Sequence, residues 1–143
     1  MSSLDLQPAD SLAEHSTVIL YGAGNVGRQV HEVLARHGWT IRCFLDRQAQ
    51  PGAHWNGTPI YLPDDNPITA EERASWPVVI SIFNWAADIP EIAGLLVELG
   101  YGPCVSFVDL HARFPQELGD HFWLTGRDWL AASTLLLKVR TLV

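Results

Sequence analysis

The chain has 143 residues, 48% of them apolar and 17% charged, which suffices for one packed domain and is too short for two ordinary ones. Its 16 acidic residues against 9 basic ones leave a formal net charge of −7, a surface sign that repels nucleic acid and anionic membranes. Two cysteines, Cys43 and Cys104, are too few for a disulfide framework and read as buried thiols of a cytoplasmic protein.

Residues 1–15 lack the positive region and apolar stretch of a signal peptide and read as a loose lead-in. No apolar run reaches membrane-spanning length. The domain itself is expected over residues 16–125. Thr17 to Tyr21 (TVILY) is a short β-branched run that suits a buried parallel strand. Three glycines follow, and a helix begins near Asn25. Val26, Val30, Val33, Leu34 and His37 share one face of it, and Arg28, Glu32 and Arg36 the solvated face. Gly38 fits the helix stop, and Thr40 to Asp46 reads as a second strand.

The next stretch, rich in Gly, Pro, Asn and Asp, holds one short strand near Thr58 to Leu62 and is otherwise loop. Pro77 to Phe83 reads as a buried strand. Asp88 and Glu91 have capping-box spacing. They precede a helix with Ile89, Ile92, Leu95, Leu96 and Leu99 inward, stopped by Gly100. Cys104 to Leu110 reads as the last strand. Strands alternating with helices through short loops predict an α/β, Rossmann-like doubly wound fold. Its sheet would be mainly parallel, with helices on both faces. Behind it, Phe114, Phe122, Trp123 and Trp129 crowd a short interval, and a helix is expected from about Asp128. That helix is apolar on nearly every side, which predicts burial against a partner. Residues 126–143 are therefore an aromatic-rich helical extension and a candidate homodimer contact.

The glycines carry the candidate site. Gly22, Gly24 and Gly27 stand in G-x-G-x-x-G spacing between a strand and a helix, and Asp46 lies nineteen residues after the last of them. In that geometry Gly22 makes the tight turn, Gly24 lets backbone approach a phosphate, and Gly27 lets helix and strand pack closely. The first amides of the helix, at Asn25 and Val26, would point at the anion, and Ala23 in the turn is also expected at the ligand. The same spacing also serves simply to turn a strand into a helix. Asp46 can accept both hydroxyls of a ribose, or cap its own loop with Arg47 and the turn residues beyond. Asn84 would border the ligand crevice at the carboxyl end of the central strand. NAD or a nucleotide-linked sugar is the expected ligand, with NADP disfavoured by the Asp46 charge. Methyl-donor loops usually carry an acidic residue before a G-x-G-x-G, whereas Tyr21 stands here and the third glycine comes one residue later.

No catalytic set assembles. The positions four beyond Tyr21, Tyr61 and Tyr101 are Asn25, Asp65 and Val105, not lysine. The histidines show no metal-ligand spacing, and no G-x-S-x-G elbow exists.

Four segments carry a family resemblance: VILYGAGNVGRQVHEVLARHGWTIRCFLDR, NGTPIYLPDD, VVISIFN and VSFVDLHARFP. Together they resemble the N-terminal Rossmann-like domain found ahead of some FkbM-type methyltransferases, from about Thr17 to beyond Trp123. The opening motif is shared with many nucleotide-binding domains, including those preceding sugar acyltransferases. The resemblance implies an accessory domain that binds a nucleotide or nucleotide sugar and serves a methyltransferase in cis or in trans. S-adenosylmethionine would then bind only in a downstream domain, with residues 126–143 as linker or interface. Two other readings are a small NAD-dependent oxidoreductase acting on a sugar nucleotide, and a degenerate Rossmann module used for assembly.

Overall fold

The computed structural model describes residues 6–8, 12, 16–82 and 87–118. In chain order the elements are β1 (Leu6–Gln7), β2 (Thr17–Tyr21), α1 (Asn25–Arg36), β3 (Thr40–Leu45), β4 (His54–Trp55) and β5 (Thr58–Tyr61). They continue with α2 (Ala70–Ser75), β6 (Val78–Ile80), α3 (Ile89–Glu98), β7 (Cys104–Ser106), α4 (Phe107–Arg113) and α5 (Pro115–Leu118). The strands form a seven-stranded sheet in the order β1-β7-β6-β2-β3-β5-β4. Every neighbouring pair is parallel except β4 and β5. Counted from β2, the five inner strands run 3-2-1-4-5, which matches the first five strands of the doubly wound order 3-2-1-4-5-6.

Strand periodicity explains the two-faced core. Side chains alternate along β2, so Val18 and Leu20 face one way, and Ile19 and Tyr21 the other. The first face packs on Val30, Val33 and Leu34 of α1 and on Phe107 and Leu110 of α4, with Phe44, Val79 and Val105 between. The second packs on Ala93 and Leu96 of α3, with Cys43, Leu45, Val78, Ile80 and Tyr101. With helices on both faces the inner strands have no wet side, which is why they read as continuous apolar runs.

Several elements differ from expectation. The lead-in is not wholly loose: Leu6 and Gln7 pair in parallel with Cys104 and Val105, and Leu12 is buried. The last strand stops at Ser106 rather than Leu110. The Ser106 hydroxyl accepts from the Asp109 amide and caps α4, so the residues from Phe107 onward are helical. The turn-rich stretch ends in α2, started by a reciprocal capping box between Thr69 and Glu72. Of the expected inward residues of α3, Leu95 is 51% exposed. The aromatic extension from Gly119 onward, with Phe122, Trp123 and Trp129, lies outside the described residues.

The face of α1 is also shifted from expectation. His37 caps the helix end and is exposed, where Glu117 accepts from both His37 Nε2 (2.7 Å) and Arg36 Nη1 (3.0 Å). His31 instead enters the core. Its ring stacks on Phe44 at 5.4 Å and meets Trp55 edge-on at 5.1 Å. Its Nε2 lies 2.8 Å from the Thr58 hydroxyl, while Nδ1 is buried with no partner among the described residues. Burial pushes the His31 imidazole below its ordinary value, with Glu32 opposing. The unfolded chain therefore takes up this proton first as pH falls, and stability drops below about pH 6.5 by at most about 1.4 kcal/mol per pH unit. Urea midpoints measured from pH 7.5 to pH 5.5 should show that loss, and His31→Phe should flatten the slope. An unchanged slope in the variant would assign the acid sensitivity elsewhere.

Candidate functional site

The glycine turn sits where β2 gives way to α1, at the carboxyl edge of the sheet. Gly22 has φ +101°, and a Cβ there would lie 3.1 Å from the Ser81 carbonyl oxygen. Both facts demand glycine. A Cβ at Gly27 would overlap the Gly22 carbonyl oxygen, so the first turn of α1 rests directly on the turn that precedes it. Gly24 is different. It is exposed, its φ of −80° is ordinary, and a Cβ would meet nothing within 4 Å. Two glycines are required by the fold, and the third leaves open space over a helix start.

That helix start is bare. Gly24 is the N-cap of α1 and brings no side-chain cap, and no acidic residue lies in the first turn. Asn25 beside it is exposed and Val26 half-buried. The unpaired amides of the first turn and the helix dipole concentrate partial positive charge at this end. Among the described residues nothing lies within 4 Å of a Cβ built at Gly24, so an anion placed there would meet those amides.

Asp46 follows β3 and is fixed from three sides. Its amide donates to the Tyr61 carbonyl at 2.9 Å. Its Oδ2 accepts from the Ala23 amide at 3.0 Å, and Oδ1 accepts from the Gln48 amide at 2.8 Å. The carboxylate thus caps its own loop and also grips the glycine turn. The Ala23 amide is thus taken by Asp46, which leaves the amides from Gly24 onward to face outward. An ionised carboxylate has about four acceptor positions, so two remain for ligand hydroxyls. Arg47 forms no ion pair with Asp46 among the described residues and instead lines a cavity. Asn84 lies outside the described residues.

The cavity, of about 590 Å3, opens on the face of the sheet that carries α3. Tyr21, Arg47 and the Leu62–Asp64 loop form part of its wall, and Glu91, Ile92, Leu95, Leu96, Glu98 and Leu99 the rest. A polar network holds the loop. The Tyr101 hydroxyl donates to the Pro63 carbonyl at 2.6 Å, and Asn66 Nδ2 donates to the Leu62 carbonyl at 2.6 Å. Arg73 donates to Asn66 Oδ1 at 3.1 Å and to the Leu99 carbonyl at 3.0 Å, tying loop to helix. Its guanidinium also lies 4.8 Å from the Tyr101 ring centre. Sequence reading missed this network, because its members are spread from Asn66 to Tyr101 with no motif spacing.

Burial raises the Tyr21 phenol, with Arg47 opposing and Asp46 adding. Burial pushes the Cys43 thiol up to about 12, which leaves it inert as a nucleophile. Among the described residues no group of three or more His, Cys, Asp or Glu side chains is placed to hold a metal ion. No helix among them is long and apolar enough to cross a membrane. No family model, curated protein or solved structure matches the chain.

The glycines predict different responses to one added methyl. Gly27→Ala should cost about 1–3 kcal/mol or abolish folding, because the methyl has nowhere to go. Gly24→Ala should change the urea midpoint little, because its restriction of the unfolded chain offsets the poorer N-cap that alanine makes. Equal effects at both positions would show that α1 does not rest on the turn as described.

Proposed function

We propose that this chain is a nucleotide-binding domain that holds the phosphates at the start of α1 and the ribose at Asp46. One observation carries the reading. The bare amide end of α1 under the open space at Gly24 lies beside a carboxylate gripping the same turn, with acceptor capacity to spare. Phosphate would occupy the amides of Gly24, Asn25, Val26 and Gly27. Asp46 would accept from the two hydroxyls of an unmodified ribose. In a chain of formal charge −7, local amide dipoles supply what the overall field does not. NAD or a nucleotide-linked sugar suits this arrangement. The resemblance to domains ahead of FkbM-type methyltransferases supports an accessory role, with the methyltransferase in cis or in trans and the aromatic C-terminal segment as contact.

Calorimetric titration of the chain with NAD and NADP tests the reading. The 2′-phosphate of NADP would stand against Asp46, a repulsion of about 4 kcal/mol at 4 Å with an effective dielectric of about 20. NAD should therefore bind at least about tenfold more tightly, equivalent to about 1.4 kcal/mol. Gly24→Val should keep the unfolding midpoint and lose about tenfold or more in affinity, because its side chain fills the phosphate space. Asp46→Asn is the better second variant, since it keeps an acceptor for the loop while removing the charge. Equal affinity of Gly24→Val and the parent chain, or NADP binding tighter than NAD, would overturn the assignment.

A further inference from the structure

The cavity on the α3 face contains neither the glycine turn nor Asp46, yet it begins one residue from each. Tyr21 immediately precedes Gly22, and Arg47 immediately follows Asp46. A ribose held at Asp46 would leave its base at this opening. We propose that the cavity seats the nucleobase and selects bases bearing an exocyclic amino group over uracil and thymine; this rests on the nucleotide-binding reading above.

Three features of the wall support the proposal. The first is apolar: Leu62 and Pro63 come from the loop after β5, and Ile92 and Leu95 from α3. Leu95 is 51% exposed although the helix period places it with the inward residues. A planar ring seated in the cavity would cover apolar surface that the protein leaves bare.

The second feature is charge. Asp64, Glu91 and Glu98 face a single guanidinium, Arg47, across the lining. None of these carboxylates has a hydrogen bond or ion pair among the described residues. Ionised carboxylates only accept. An amino group on adenine or cytosine can donate to them, whereas the carbonyl of uracil at the same ring position sets acceptor against acceptor. The same charges repel phosphate, so they fix the direction of the ligand, base into the cavity and phosphates toward α1.

The third is the Tyr21 hydroxyl. Tyr21 lines the cavity, and its hydroxyl forms no hydrogen bond among the described residues. A phenolic hydroxyl both donates and accepts. It is therefore available to a ring nitrogen or amino group of a base.

Titration of the full chain with ADP, CDP and UDP isolates the base, because the ribose and diphosphate are common to all. CDP against UDP isolates the amino group within one ring size. The expected result is that ADP and CDP each bind at least tenfold more tightly than UDP. An Asp64→Asn, Glu91→Gln double variant, which keeps side-chain shape, should bring the CDP-to-UDP ratio toward one. UDP binding as tightly as CDP would overturn the base selection and leave nucleotide binding standing. An undiminished ratio in the double variant would also overturn it, by removing the carboxylates as the selector. Failure of all three to bind would overturn both readings together.

Discussion

The contact between Gly22 and the first turn of α1 is the constraint from which the rest of the sheet edge follows. The helix can rest on the turn only because neither Gly22 nor Gly27 carries a side chain. With α1 seated there, the edge is knitted by short backbone bonds. The Gly22 amide donates to Leu45, the Ser81 amide to Tyr21, and the Asp46 amide to Tyr61, at 2.7 Å to 2.9 Å. Four strand ends are thereby fixed relative to one helix start. Asp46 can reach Ala23 only in that arrangement, so the carboxylate and the bare amides come as one rigid unit. Rigid placement is what lets a binding site avoid ordering costs when a ligand arrives.

Electrostatically, the edge is divided. The start of α1 offers amides and no side-chain charge, while the α3 face offers carboxylates around an apolar cleft. Net charge alone, at −7, discourages the idea of an anion site anywhere on the chain. At the proposed phosphate site local geometry would outweigh it, because exposed charges more than about 10 Å away are largely screened in salt and the first-turn amides would touch the anion directly.

The inner strands and α1 were legible in the sequence because their patterns are strong and local. TVILY has no polar residue beyond Thr17 and Tyr21, and three glycines punctuate its end. The misreadings share a physical cause, which is competition between propensity and a cap. Cys104 to Leu110 is rich in β-branched and aromatic residues, yet one hydroxyl at Ser106 converts its second half to helix. The capping box at Thr69 and Glu72 was readable in principle but lay in a segment dominated by Pro and Asp. Leu95 was misassigned because a helix period names a face without saying how far the neighbouring loop covers it. His31 was overlooked since its burial depends on Phe44, Trp55 and Thr58, which arrive from three later strands. The acidic cavity was invisible for the same reason: its wall is assembled from β2, the loops after β3 and β5, and α3.

Strand β1 carries a consequence for the order in which the chain assembles. Its two residues pair with β7, so joining them closes a loop of nearly the whole described chain in return for a very short ladder. Closure entropy grows with loop length, and two residues of pairing return little. Such a strand joins late in folding and leaves first during local opening. Each departure strips the cover from Cys104 and Val105 and turns β7 into an unprotected apolar edge, the kind of surface on which a second chain can template its own strand. The N-terminal residues thus act as a shield against misassembly as well as the outermost strand of the sheet.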